Sequence, residues 1–281
     1  MKLLRFGERG QEKPGCLDTQ GKIRDLSSVI SDVSGTVLSK ESLARLSAVD
    51  LSGLPIVAPP TRLGACVGSV GNFVAVGLNY VDHAKETNSQ IPAEPILFNK
   101  HTSCIVGPND PVTIPRGSEK TDWEAEIAFV VGEAAFEVPQ DEAMDYVAGF
   151  CVCLDVSERA FQSERGGQWT KGKSAPTFGP LGPWLVTKDE IEDVQNLGIW
   201  LDVNGQRVQT GTTSNMIFSI AFLVSYISTF MRLIPGDVVT TGTPAGVGLG
   251  RNPQVFLKAG DVVELGVEGL GRQRQLFCAA E

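Results

Sequence analysis

Residues 122–131 read Asp-Trp-Glu-Ala-Glu-Ile-Ala-Phe-Val-Val, and this stretch decides the fold prediction. It begins as an alternation of acidic and apolar residues and ends as a continuous apolar run before Gly132. This pattern predicts a β-strand whose second half is buried on both faces. Because successive side chains of a strand point to opposite faces, Glu124 and Glu126 should share one face.

Two carboxylates side by side repel each other unless something neutralises them, and a divalent cation can do so. An exposed acidic strand face is the simpler alternative, which the general exposure of charged residues favours. A third acid, Asp155, ends another apolar run that begins at Val147. We therefore predict a cation site formed by Glu124, Glu126 and Asp155 at the edge of the core. Ligation by oxygen alone favours Mg²⁺ or Mn²⁺, with Ca²⁺ as a substitute, and argues against zinc.

The chain has only two histidines, His83 and His101, so an imidazole general base must be one of them. His83 lies in a predicted helix start with Glu86 three residues later, where a carboxylate can orient an imidazole. His101 has no such neighbour in the sequence. A purely structural role for His83 stays open beside the catalytic one.

Three further segments carry polar groups that could bind an anion. Arg159 and Gln162 follow Asp155 and would project from one side of a helix. Lys171 and Lys173 lie in a stretch rich in glycine, although lysines are more often solvated. The loop at residues 241–248 could present backbone N–H groups to an anion, but a plain turn would look similar.

The remaining segments are mostly short predicted strands separated by Pro and Gly, so the fold class is mainly β (α+β). Pro55, Pro59 and Pro60 cannot continue a helix and mark a candidate boundary. We predict a small N-terminal α/β domain at residues 1–58, a linker at 59–69 and the main domain at 70–281.

Composition excludes several classes of partner. The net charge is −9, and the basic residues form no stripe, so no nucleic-acid partner is expected. The uncharged segment at 216–231 is shorter than the about 20 residues a spanning helix needs, which favours a core helix and no membrane partner. Six cysteines without a CxxC pair and no leader-like start predict a soluble protein of the reducing cytoplasm.

Taken together, residues of about 70–270 resemble the fumarylacetoacetate hydrolase family, with its sequence motifs in the same order. The pieces that carry the resemblance are Asn79-Tyr80 to Glu86, Asp122 to Glu126, Tyr146 to Ser157 (YVAGFCVCLDVS), Arg159 with Gln162, Trp169 to Gly182, Pro235 to Val239 and Thr241 to Gly248. The resemblance implies a rolled mixed β-sandwich, usually dimeric.

It also implies roles for particular residues. Glu124, Glu126 and Asp155 would bind Mg²⁺ or Mn²⁺. The implied catalytic residues are His83 and Glu86, which together activate water, and Lys173, which lies beside the substrate. The implied substrate contacts are Tyr80, Arg159, Gln162 and Thr243. Where the family loop usually reads Lys-Ser-Phe-Asp, this chain reads Lys-Ser-Ala-Pro at residues 173–176, so substrate preference does not follow from the resemblance.

The activity implied is hydrolysis of a carbon–carbon bond in a 2,4-dioxo acid, giving pyruvate and a carboxylic acid. Acylpyruvates, fumarylpyruvate and 2,4-diketo-3-deoxy sugar acids such as the L-fuconate and rhamnonate derivatives are the substrates we consider. The alternative activities are oxaloacetate decarboxylation and isomerisation or decarboxylation of a hydroxymuconate-type acid. A non-catalytic binding protein stabilised by a cation is the alternative from another class.

Overall fold

A computed structural model describes residues 1–280 of the chain. The structure is built mainly from β-strands, which are β1 Lys2–Phe6, β2 Lys13–Leu17, β3 Ile23–Asp25, β4 Phe73–Gly77, β5 Ile96–Lys100, β6 Ile105–Val106, β7 Val112–Ile114, β8 Thr121–Asp122, β9 Ala125–Val131, β10 Val147–Leu154, β11 Ser157–Glu158, β12 Gly179–Thr187, β13 Gly198–Val203, β14 Gln206–Thr212, β15 Val238–Thr240, β16 Val262–Val267 and β17 Gly271–Ala279.

Helices are few and short. The α-helices are α1 Lys40–Ser47, α2 Val81–Glu86, α3 Arg159–Ser163, α4 Thr170–Lys173 and α5 Ile220–Phe230. The 3₁₀ turns are Gly35–Leu38, Leu51–Gly53, Thr102–Cys104, Ala143–Tyr146, Lys188–Glu190, Val194–Asn196 and Thr213–Asn215. The predicted mainly β fold class is therefore confirmed.

The strands form two large sheets and one two-stranded pair. The ten-stranded sheet has the order β3-β2-β1-β12-β10-β9-β15-β4-β5, with β6 pairing on β12. The five-stranded sheet has the order β14-β13-β16-β17-β7, and β11 pairs with β8. Most pairs are antiparallel, but β15 with β4, β12 with β6 and β17 with β7 run parallel. The sheets are thus mixed, as expected.

Strands β9 and β10 lie in the middle of the ten-stranded sheet, and every residue of both is buried. One face of this pair packs against β13, β16 and β17 of the five-stranded sheet. Their continuous apolar sequences follow from this position, because a strand covered on both faces has no solvent side for polar residues. Phe129, Val152, Leu265 and Phe277 all belong to the resulting single core.

The N-terminal strands extend the large sheet. β1 pairs with β12 on one side and with β2 on the other, and β3 follows at the edge. Phe6 also forms a bridge to Leu63. Residues 1–58 are therefore hydrogen-bonded to the rest of the chain through the β1–β12 pair and through further contacts such as that of the Gly68 N–H with the Val33 carbonyl. Their status as a separate domain, with a linker at 59–69, stays a prediction.

The uncharged segment at 216–231 contains α5, which covers eleven of its residues and buries Leu223, Val224 and Ile227. Ser219 caps the helix by accepting a hydrogen bond from the Phe222 N–H, which explains why it begins late in the segment. Among residues 1–280, no helix combines the length and the apolar character needed to cross a membrane.

Candidate active site

The pairing of β9 with β10 brings three acidic residues together. Glu126 lies opposite Cys153, and Ala125 lies opposite Leu154. The ladder continues one step beyond both strand ends, where the Asp155 N–H donates to the Glu124 carbonyl at 3.0 Å. Directly opposed residues of antiparallel strands point to the same face, so Asp155 joins the face that carries Glu124 and Glu126.

The carboxylates of Glu124, Glu126 and Asp155 each place one oxygen within 4.8 Å of the others, and all three residues are buried. The alternative of an exposed acidic strand face is therefore wrong. Burial follows from position: β9 and β10 are central strands of the ten-stranded sheet, and the acids lie at or just beyond their ends.

Buried lysine and arginine side chains form ion pairs with two of these carboxylates, those of Glu124 and Asp155. The Lys173 Nζ lies 2.6 Å from a Glu124 oxygen and 2.7 Å from an Asp155 oxygen. The Arg159 Nη1 lies 2.7 Å from the other Glu124 oxygen, and the same guanidinium contacts Asp122 at 2.8 Å. Lys173 is thus an exception to the general exposure of lysines, whereas Lys171 is exposed.

Lys100 is a site residue that sequence reasoning missed. Its side chain is 0% exposed, and its Nζ lies 2.6 Å from the second Asp155 oxygen and donates to the Lys173 carbonyl. Lys100 therefore links Asp155 to the end of α4. The available signal was a lysine ending the apolar stretch Ile96–Lys100, which parallels the position of Asp155 after β10.

The electrostatic states of the two glutamates differ. Burial alone would raise the pKa of the Glu124 carboxyl, but the positive charges of Lys173 and Arg159 outweigh it and hold that pKa well below its usual range. Burial, together with the charges of Asp155 and Glu124, raises the pKa of Glu126 well above its usual range. Glu126 accepts hydrogen bonds from Thr240 and Gly242, which are uncharged donors.

These observations fit a divalent cation. Three buried carboxylate oxygens converge, and among residues 1–280 the hydrogen-bond donors to Glu126 are uncharged. A cation would relieve the mutual repulsion that raises the Glu126 pKa. Glu124, Glu126 and Asp155 are the residues that would hold it, and an all-oxygen set suits Mg²⁺ or Mn²⁺.

His83 and Glu86 form the pair expected from their spacing. The His83 Nδ1 lies 3.3 Å from a Glu86 carboxylate oxygen, and both residues belong to α2. The other Glu86 oxygen accepts a hydrogen bond of 2.9 Å from the Gly246 N–H, which fixes the carboxylate. His83 faces the cavity of the carboxylates, whereas His101 is exposed and bonds Ser103.

The loop predicted to offer N–H groups to an anion does so, but the anions are the protein's own carboxylates. Gly242 donates to Glu126, Gly246 to Glu86 and Gly248 to Asp122. Gly242 has a φ of +92°, and a Cβ there would lie 2.9 Å from the Asn79 Cβ, so glycine is required.

The structure separates the residues for which a substrate contact was implied. Arg159, Gln162 and Thr243 line the same cavity as the carboxylates and His83. Tyr80 does not line it; its side chain is fully buried, and its hydroxyl has no hydrogen-bond partner among the described residues. Burial raises the Tyr80 pKa well above its usual value, so the phenol stays protonated.

The cavity itself has a volume of about 190 Å³. This is below the roughly 300–1,000 Å³ of typical ligand pockets, so it suits a small acid. Its lining includes the three clustered acids and the side chains of Arg159 and Lys173. The rest of its lining includes Val76, Leu78, Phe98, Trp169 and Leu249.

The fold and site define a mixed β-protein with a buried carboxylate cluster and a neighbouring histidine. Residues 72–277 match the family model for the C-terminal region of fumarylacetoacetate (FAA) hydrolase. The chain belongs to the fumarylacetoacetate hydrolase family. A protein of Burkholderia lata that bears a provisional name as a hydrolase is 58% identical over 276 residues, which cover 98% of each chain.

Two solved structures resemble this one over their whole length. The fumarylacetoacetate hydrolase of psychrophilic Exiguobacterium antarcticum is 34% identical, with a TM-score of 0.88 and 100% of each chain covered. The maleylpyruvate hydrolase of Sphingobium sp. SYK-6, solved with manganese(II) and pyruvate, is 25% identical, with a TM-score of 0.83 and 100% of each chain covered. The family prediction from sequence is thus confirmed.

Proposed function

We propose that this protein is a Mg²⁺- or Mn²⁺-dependent hydrolase that cleaves a carbon–carbon bond of an acylpyruvate, yielding pyruvate and a carboxylic acid. One observation carries the proposal: His83, which contacts Glu86, lines the same small cavity as the three buried carboxylates. The similar maleylpyruvate hydrolase, which was solved with manganese(II) and pyruvate, supports it.

Glu124, Glu126 and Asp155 would hold the cation. A bound divalent cation supplies a Lewis acid that polarises substrate oxygens and favours negative charge on the departing pyruvate. Lys173 and Arg159 fix Glu124 before any substrate arrives, and Lys100 and Lys173 fix Asp155. Charges that are already in place need no reorganisation during the reaction.

His83 acts on water. Its imidazole takes a proton from a water molecule, and Glu86 keeps the ring oriented through Nδ1. The hydroxide adds to C4 of the substrate, and the C3–C4 bond breaks with its electron pair left on C3. The proton held by His83 then returns to C3, so the products are pyruvate and the acid released from C4.

We also propose that the protein works as a homodimer in the cytoplasm on a small oxo acid. The family resemblance supports the dimer, and the size of the cavity supports the small substrate. Light scattering during size-exclusion chromatography tests the dimer: a mass of two chains is expected, and a monomer would contradict it.

The activity is tested by incubating Mn²⁺-loaded protein with acetylpyruvate, oxaloacetate and a hydroxymuconate-type acid. Pyruvate and acetate in equal amounts from acetylpyruvate, without CO₂, are expected. Release of CO₂ from oxaloacetate as the dominant reaction, or a double-bond shift without cleavage, would replace hydrolysis by one of the alternative activities. If His83→Ala and Glu124→Ala leave all turnover unchanged while Glu124→Ala lowers thermal stability, the protein is a cation-stabilised binding protein instead.

A further inference from the structure

We propose, resting on the hydrolase function above, that the acyl group of the natural substrate is uncharged and mainly apolar, and that Trp169 and Phe98 select it. The two relatives described above are named for acids with a second carboxylate, since fumarylacetoacetate and maleylpyruvate are both dicarboxylates. Among the described residues, the cavity of this chain offers that second carboxylate no cation beyond those already paired with acids and the histidine beside the attacking water.

The first step concerns positive charge. Among the described residues, the cavity lining contains three side chains that can carry positive charge: His83, Arg159 and Lys173. Lys173 bridges Glu124 and Asp155, and Arg159 bridges Glu124 and Asp122. Both cations therefore lie against the carboxylate cluster, where the pyruvate end of the substrate must be. His83 is required beside the water that attacks C4.

The second step concerns the apolar walls. The Phe98 and Trp169 rings meet with centroids 5.3 Å apart and planes tilted by 59°. Trp169 also packs closely on Gly77, where a Cβ would lie 2.2 Å from the indole ring. Leu78 and Leu249 also line the cavity. Apolar and aromatic walls favour an apolar acyl group by excluding water from it.

The third step concerns the polar groups of the same lining, most of which are already occupied. The Thr87 hydroxyl donates to the His83 carbonyl, and the Ser163 hydroxyl donates to the Arg159 carbonyl. The Thr243 hydroxyl donates to the Ala125 carbonyl. A carboxylate placed here would lose its hydration without gaining a charged partner, which is unfavourable.

A matched pair of substrates tests this selection. The acids 2,4-dioxoheptanoate and 2,4-dioxoheptanedioate have the same seven-carbon chain and differ only at C7, which is a methyl group in one and a carboxylate in the other. The Mn²⁺-loaded enzyme should have a kcat/KM about 100-fold higher for the methyl compound, because an unpaired buried charge is costly. Equal values, or a preference for the dicarboxylate, would overturn the proposed selection.

Acetylpyruvate keeps this inference separable from the proposed function. Its acyl group ends one carbon beyond C4, so its cleavage requires the catalytic groups but little of the apolar wall. Cleavage of acetylpyruvate with a preference for the dicarboxylate would overturn the apolar selection alone. Failure to cleave all three acids would overturn the hydrolase function itself.

Variants of Trp169 test whether this side chain causes the preference for the apolar acyl group. In Trp169→Arg a cation replaces the indole, and the preference for the methyl compound should fall at least about tenfold, since the C7 carboxylate gains a partner. The matched control Trp169→Phe keeps an aromatic wall and should keep the preference. Binding of Mn²⁺, measured by calorimetry, shows that each variant is folded around an intact carboxylate cluster. An unchanged preference in a folded Trp169→Arg protein would contradict the role of Trp169.

Discussion

The carboxylate cluster and His83 face the same cavity, but the cluster and the His83–Glu86 pair are held in place by different contacts. Each acid of the cluster lies at the end of a long buried strand, and its position follows from the register of β9 with β10. His83 and Glu86 lie on α2, a helix of only six residues. Helices of that length are not stable alone, so α2 depends on its contacts.

Exposure separates the two regions only in part. The side chains of Asp155, Lys100 and Lys173 are at most 2% exposed, and that of Glu86 is 18% exposed. Glu124 and His83, at 7% and 8%, are nearly equal. One Gly246 N–H and one imidazole contact hold Glu86. The proposed cation ligands are thus held by two central strands, while the proposed general base stands on a short helix. Changes in the two regions should therefore have separable effects.

The largest effect is expected for Glu126→Gln. Loss of a ligand should weaken Mn²⁺ binding at least about 100-fold and lower turnover by about 10⁴-fold or more, since the metal contribution is lost. The metal-free variant should be at least as stable as the natural protein, because a neutral amide replaces a buried carboxyl whose charged form is disfavoured and whose hydrogen-bond donors are uncharged.

Calorimetry with Mn²⁺ and urea unfolding measure the two effects of Glu126→Gln. Glu119→Gln removes an exposed acid and serves as the control. Unchanged Mn²⁺ affinity in Glu126→Gln would remove this residue from the ligand set.

The next largest effect is expected for His83→Ala. The kcat for acetylpyruvate should fall about 10³-fold, since the group that accepts the proton is lost. Mn²⁺ affinity should be unchanged because the cluster does not depend on α2. His101→Ala is a direct control, since it changes the only other histidine, which is exposed. Steady-state kinetics and calorimetry provide the comparison, and equal losses in both variants would argue against a special role for His83.

Lys100→Met tests how much the buried ion pairs of the carboxylate cluster contribute to the free energy of unfolding. Removing the ammonium leaves an Asp155 oxygen and the Lys173 carbonyl without their partner inside the protein. Breaking a buried ion pair should lower the free energy of unfolding by about 3–5 kcal/mol. Urea titration of the metal-free protein measures this change. The same substitution at exposed Lys171 should have almost no effect; similar losses at both positions would show that the buried contacts of Lys100 contribute little.

The smallest effect is expected for Glu86→Gln. The amide keeps the shape of the side chain and can still accept from Gly246, but it carries no charge beside the imidazole. We expect the kcat to fall about tenfold, less than for His83→Ala, with KM and Mn²⁺ affinity unchanged. A drop as large as that of His83→Ala would mean that Glu86 takes part in proton transfer itself rather than orienting the imidazole.

Much of the fold was predictable because its signals are local. The apolar runs of β9 and β10 indicate central strands, and the period of two places Glu124 and Glu126 on one face. The spacing of His83 and Glu86 likewise predicts contact within one helical turn. The order of motifs identifies the family without any structure.

The tertiary structure decided which residues of distant segments contact each other. Lys100 meets Asp155 across 55 positions of the chain, and the 241–248 loop turns its N–H groups toward acids more than 110 positions away. Tyr80 immediately precedes the helix that carries His83 and Glu86, yet it is buried away from the cavity. The sequence alone determined which residues form strands and share a face, because side-chain period is a property of the local backbone. Only the fold decided which charges meet and which side chains line the cavity, because those contacts depend on strand register and sheet packing.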